Sequence, residues 1–487
     1  GILKNVSNDT ANQKFLAQRG AVGSLFKLMD ASKLAGGAKE APLLIQVTAA
    51  LRNLASNQYK QFLSGDRLDA LTRLMEVFPG HVELLTNIAR TLAKLTLHSS
   101  AVEAMAKSDL HVRRITRTLS SNMESSALTL RLSFVLGNLT ERSDRLRVIF
   151  AFDCEGTALV PQLLSKYWQK DRQITKQESD TDRGKASTQE IEEVLVKLVR
   201  LLANIAISPD AGATLAASSA AVDPLLDMLG AKRISDSEEL VLNVVAAITN
   251  LLFYDVPSNM LFQEDSKQLL CRLFRPLLLE SYNVEALVET ARALGNLSRH
   301  ADARRCMASL RLDEILAILL DHDDRDLVFY ACGALVNLAA DPECTLRLTE
   351  QTPAVEKLAK LLGDAPTDDP LLQLVAVKVL TNLSLDSRAA WAPGDVEAVQ
   401  GALAQTVAES KELAEIAERQ QLLDLSQQLQ SRLPQPPAPP TETPEDAPVK
   451  DWSYCPAPGC GRRFVSQEKL AAHAERRHAE GNGRKGG

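Results

Sequence analysis

Aromatic side chains are scarce, only 4% of 487 residues, so the interior cannot be built on large rings. Within the 45% that is hydrophobic, Leu, Val, Ile and Ala must fill the core. Seven cysteines occur: Cys154, Cys271, Cys306, Cys332, Cys344, Cys455 and Cys460. The first five stand singly, and an odd total without regular spacing excludes a disulfide framework and favours a reducing compartment. Long apolar runs are missing as well. The longest uncharged apolar stretch, Leu240–Tyr254, has 15 residues and includes Asn243 and Asn250, too short and too polar to span a bilayer. Cations do not predominate: 55 Lys and Arg face 62 Asp and Glu, and the net charge of -7 argues against a chain that coats nucleic acid non-specifically. No P-loop, no glycine-rich dinucleotide fingerprint, no H-E-x-x-H and no G-x-S-x-G is present. His81, His98, His111, His300 and His322 lack a Cys or Ser at an informative spacing, so an enzyme is not expected.

What is there is a repeat. The pentapeptides LKNVS (3–7), LRNLA (51–55), LAKLT (92–96), LGNLT (136–140) and LANIA (202–206) continue as ITNLL (248–252), LGNLS (294–298), LVNLA (335–339) and LTNLS (380–384). Their third positions are separated by 48, 41, 44, 66, 46, 46, 41 and 45 residues. Roughly 20 residues after several of them comes a second pattern, as in DALTRLM (69–75), DPLLDML (223–229) and DEILAIL (313–319). Both place apolar residues at i, i+3, i+4 and i+7, as amphipathic helices do, and no comparable alternating strand pattern appears. Helical units with a period in the forties predict an all-α, right-handed armadillo- or HEAT-like solenoid of about nine repeats over residues 1–394. The chain begins inside a repeat, so further repeats are expected before Gly1. The one long spacing contains residues 170–190, whose only large aliphatic is Ile174, and composition predicts a flexible insertion there.

L-x-N-L-[AST] at the end of a long apolar helix is similar to the third helix of armadillo repeats. That resemblance implies an asparagine ladder along a concave groove, able to bind the backbone of an extended peptide. The ladder residues are Asn53, Asn138, Asn204, Asn250, Asn296, Asn337 and Asn382, with Asn5 before them and Lys94 interrupting. Such an Asn can instead hydrogen-bond to backbone of the adjacent repeat, as a buried amide must find a partner. One turn earlier on the same face stand Ala49, Arg90, Phe134, Arg200, Ala246, Arg292, Gly333 and Lys378. The tryptophans that armadillo import adaptors carry at this offset are absent. Arg90, Arg200, Arg292 and Lys378, with Lys94, form instead a positive stripe suited to acidic, extended or helical protein partners, an arrangement similar to the groove of the cell-adhesion catenins. Alternatively these are solvated side chains without a fixed partner.

The wider pattern, strongest around RLSFVLGNLTERSDRLRVIF (131–150), resembles the ciliary branch of the armadillo family. What it implies is a non-enzymatic scaffold or adaptor in cilium or flagellum assembly, located in the axoneme or matrix and in the cytoplasm, with radial spoke or intraflagellar transport proteins as partners and no membrane.

Residues 395–433 read as helix rich in Ala, Leu, Gln and Glu, a cap for the solenoid or a short coiled coil. A linker at 434–450 follows, with seven prolines in the 15 residues 434–448. Within 451–480, Cys455-x4-Cys460-x12-His473-x4-His478 supplies two thiolates and two imidazoles, the tetrahedral donor set of a structural Zn2+ in a small ββα finger. Phe464 and Leu470 occupy its two apolar core positions. The helix positions that would face bases, Ser466, Glu468, Lys469 and Ala472, carry a single cation. A protein-contacting or purely folding finger is therefore favoured, and the alternative is a nuclear regulator whose finger touches nucleic acid.

Overall fold

The structure is a computed structural model that describes residues 2–33, 40–178, 182–364, 369–386, 391–412, 417–434 and, near the C-terminus, 453–454, 463–464, 467–468 and 471. It divides into two compact units, Gly1–Leu433 and Pro434–Gly487.

In the first unit the repeat becomes a stack of helices. The recurrences of the pentapeptide fall at or near the ends of the third helices Val82–Leu95, Ser126–Arg142, Asp182–Ile205, Glu238–Leu252, Val284–Leu297, Arg325–Leu338 and Pro370–Leu383, and in Ala41–Phe62 just ahead of a kink at Gln58. The short helix Ile2–Val6 carries the first recurrence. Every third helix packs on the next one along the chain, so these helices form one continuous layer. Second helices such as Arg67–Val77, Leu110–Ser121 and Ser219–Ala231 form the layer behind. Leucines of the repeat, among them Leu51, Leu54, Leu92, Leu95, Leu136 and Leu139, lie fully buried between the layers.

Local chemistry sets where the third helices start. Asn283 and Asp324 cap theirs by accepting from the amides of Ala286 and Leu327 at 3.0 and 2.9 Å, and Asp369 does so for Leu372 at 3.2 Å. Each satisfies an amide that the first turn leaves without a helical acceptor. The hydroxyl that ends the motif works at the other end: Ser298 Oγ and Ser384 Oγ donate back to the carbonyls of Gly295 and Thr381 at 2.8 and 2.7 Å.

Two expectations change. Residues 170–190 are not simply a projecting loop: 170–178 complete the helix Gly156–Glu178, 182–190 begin Asp182–Ile205, and only 179–181 fall outside the described residues. Asp171 in that segment is buried, and its carboxylate meets Lys232 Nζ at 3.0 Å, while the same ammonium reaches Glu192 at 3.0 Å. Ile174 packs against the core. The polar composition misled because Gln, Glu, Lys and Arg are good helix formers even where little apolar area is available.

Residues 395–433, expected as one helix, form two, Pro393–Glu412 and Ala417–Arg432. They pack on each other and on the second and third helices of the preceding repeat, so they extend the stack by a final pair. Arg419, fully buried there, donates to Gln373 Oε1 at 3.0 Å.

In the second unit Ser453–Tyr454 pairs antiparallel with Arg463–Phe464, Ser453 opposite Phe464 and Tyr454 opposite Arg463. Gln467, Glu468 and Ala471 are helical. Cys455, Cys460, His473 and His478 lie outside the described residues, as does Leu470. Among the described residues no single helix is long and apolar enough to cross a membrane, and no group of His, Cys, Asp and Glu could hold a metal ion.

Candidate partner-binding face

The third-helix layer carries the ladder, and the structure resolves what its amides do. Asn204 Nδ2 donates to Gly137 O at 3.0 Å, Asn250 to Ala203 O at 3.1 Å, Asn296 to Thr249 O at 3.2 Å, Asn337 to Gly295 O at 3.3 Å and Asn382 to Val336 O at 2.8 Å. In each case the acceptor is the residue just before the preceding ladder position. Asn53 follows the same rule with Lys4 O at 3.2 Å. Lys94, which interrupts the asparagines in the sequence, also obeys it: its ammonium donates to Arg52 O at 2.9 Å. Asn138 uses a relay, donating to Thr96 Oγ1 at 3.1 Å, and that hydroxyl donates to Ala93 O at 3.3 Å. Of the two roles open to these amides, joining consecutive repeats is therefore occupied at every ladder position from 53 to 382.

The charges one turn away resolve into two groups. Arg200 is paired with Glu141 of the preceding third helix, and Arg292 with Glu289 on its own helix at 3.3 Å, so these positions contribute little net positive charge. Lys378 has no ion-pair partner among the described residues. Near the N-terminal end the picture differs. Arg52, Arg90, Lys94 and Arg131, from three consecutive third helices, line one cleft of about 400 Å³ together with Ala93, Leu97 and Phe134. Arg90 and Arg131 have no ion-pair or hydrogen-bond partner among the described residues.

The floor of this cleft is held firmly. Arg52 Nη1 donates to Asn87 Oδ1 at 2.9 Å, and its Nη2 to Asn53 Oδ1 at 3.3 Å, so its fork is fixed by neutral acceptors. Burial lowers the proton affinity of the Arg52 guanidinium, Arg90 nearby lowers it further, and Glu83 acts in the opposite sense. Burial and then the positive charge of Arg52 likewise push the Lys94 ammonium below its ordinary range. Like charges are thus gathered without a carboxylate lining the cleft. Phe134 is half-buried, and Leu97 on the wall is 58% exposed. Arg52 and Arg131 were not among the expected binding residues; they stand one before and seven before a ladder position, and only the packing of neighbouring third helices brings them beside Arg90 and Lys94.

No known family profile matches the chain. It is 34% identical over 348 residues to human armadillo repeat-containing protein 2, a match covering 70% of this chain and 40% of that protein. The bovine protein of the same name is 32% identical over 395 residues, covering 79% of this chain and 45% of its own length. The chain thus spans less than half the length of these curated relatives. Among solved structures, an engineered protein superposes with a TM-score of 0.61 at 20% identity, covering 88% of this chain and 93% of its own. A chain from work on a phosphorylation switch between cadherin and beta-catenin gives 0.60 at 13% identity, covering 88% and 87%.

Proposed function

We propose, from an all-α solenoid whose relatives and fold neighbours support the armadillo-repeat family, that this chain is a non-enzymatic adaptor that grips a protein partner on its third-helix face. The fold suggests a protein-interaction scaffold. The observation that carries the reading further is the cationic cleft on that face, in a chain whose overall charge is negative. An exposed basic site on an acidic molecule attracts a partner of opposite sign to one place.

The cellular role we propose, supported by the resemblance to the ciliary branch of the family, is assembly of the cilium or flagellum, with radial spoke or intraflagellar transport proteins as partners. At the C-terminal end, two thiols and two imidazoles at finger spacing fit a closed tetrahedral Zn2+ site with a folding role, and the Ser453–Tyr454 and Arg463–Phe464 hairpin is the local structure such a finger needs before its helix.

The test is location and company. The tagged full-length protein, expressed in a flagellated cell, is fractionated into axoneme, matrix, cytoplasm and nucleus, and its co-purifying proteins are identified. Enrichment in the flagellum or at its base during growth, with spoke or transport proteins attached, is the expected result. A nuclear pool with none in the flagellum overturns the ciliary role and turns attention to the finger as a nucleic-acid contact.

A further inference from the structure

We infer that the cleft of Arg52, Arg90, Lys94 and Arg131 is the anchor point for a partner segment in which two neighbouring carboxylates stand beside an apolar side chain. The inference rests on the third-helix face being the docking surface, and it specifies where on that face, and to what chemistry, the partner binds. Three features of the geometry lead there.

The first is preorganisation. Arg52 is held by two asparagine oxygens and Lys94 by a backbone carbonyl, so the two cations at the floor lose little freedom when an anion arrives. The neutral acceptors orient these groups without cancelling their charge.

The second is the uncompensated pair on the rim. Arg200 and Arg292 on the same layer have carboxylates to meet, whereas Arg90 and Arg131 have none among the described residues. A guanidinium presents a planar fork that matches a carboxylate through two parallel hydrogen bonds. Two such forks, on adjacent third helices, suit two carboxylates on one segment. Relief of the repulsion among four crowded cations adds to the attraction.

The third is the apolar wall. Ala93, Leu97 and Phe134 line the same cleft, and a Leu exposed to 58% beside a partly exposed ring offers area that water covers poorly. A purely electrostatic anion site has no use for it. An acidic residue pair followed or preceded by Leu, Ile or Phe uses both halves of the cleft.

The test is a selection from a random peptide display library against the full-length chain, followed by binding measurements on the enriched peptides. The expected enrichment is Asp or Glu pairs adjacent to a large apolar residue. Arg90→Glu with Arg131→Glu should weaken those peptides by about 10- to 100-fold, and raised salt should weaken them on the wild type. Neither side chain has a hydrogen-bond or ion-pair partner among the described residues, so helicity and unfolding temperature should stay unchanged. Lys94→Asn, which restores the ladder amide while deleting one charge, should weaken binding without loosening the stack.

Enriched peptides that bind the double variant equally well overturn the cleft while leaving the face as a docking surface, more so if Lys378→Glu abolishes them. No enrichment at all overturns both. Preference for a phosphoserine peptide over its Asp-Asp counterpart, or displacement by a single-stranded oligonucleotide of equal charge, overturns the carboxylate assignment.

Discussion

A single side-chain type explains much of how this molecule is joined. Each ladder amide except Asn138, which acts through Thr96 Oγ1, reaches the carbonyl just before the preceding ladder residue, which accounts for a mediocre helix former recurring inside apolar helices. Asn204→Ala should lower stability by about 1 kcal/mol, read as a shift in the urea midpoint; an unmoved midpoint would remove the ladder from the account of how repeats are joined. Gly212 is constrained in a different way. A Cβ there would overlap the Tyr254 ring and Ala206 O, the carbonyl to which the Tyr254 hydroxyl donates. Gly212→Ala should therefore destabilise by about 1–3 kcal/mol through overpacking, with Gly137→Ala, which meets nothing within 4 Å, as the milder control in the same thermal melt. The sequence announced the ladder because it recurs, and it announced Arg90 because it sits at a fixed offset from it. Arg52 and Arg131 were hidden, since no single helix places them together.

Among the elements, the helices on either side of 179–181 depart most from their composition. They are fastened by Lys232, which bridges the buried Asp171 on one and Glu192 on the other. Burial pushes the Asp171 carboxyl up, more than Lys232 holds it down, so the pair is sensitive to loss of either member. Lys232→Met should cost about 3 kcal/mol by stranding a buried carboxylate, and hydrogen exchange should rise first in Gly156–Glu178. Protection that stays level would show that apolar packing alone fastens these helices. Asp369 makes the complementary pH argument. It caps Pro370–Leu383 and receives Arg325 at 2.8 and 2.9 Å, and Arg325 first among several causes holds its carboxyl below the ordinary range. A depressed folded pKa means that its stabilisation is present above the unfolded value and is lost as pH falls through the folded one. Asp369→Ala should thus cost about 1–2 kcal/mol near neutrality, and the gap to wild type should close in acid, as paired denaturation curves at the two pH values would record. Period and helix type were legible in the sequence because the apolar positions repeat. The final pair Pro393–Glu412 and Ala417–Arg432 was only half legible: its composition says helix, but the division into two and the inward packing come from the exposed end of the stack.

At the scale of the whole molecule the chain divides at Leu433 and Pro434, where the proline-rich run begins. On the proposed zinc finger, a chelator, or Cys460→Ala, should unfold the residues around 454–478 and leave the helical signal and melting of the first unit unchanged. A drop in solenoid stability would show that the two units depend on each other. The ladder has its own consequence at this scale. At every join from Asn53 to Asn382 but one, donor and acceptor occupy equivalent places, so a gene segment encoding one whole repeat can be duplicated or excised, and the new neighbours still find matching hydrogen-bond partners. The join between Lys94 and Asn138 is different, because it runs through the Thr96 hydroxyl. Length is thus the property of this architecture that ancestry can change most cheaply, and the junction at Thr96 is where a splice would leave a mark.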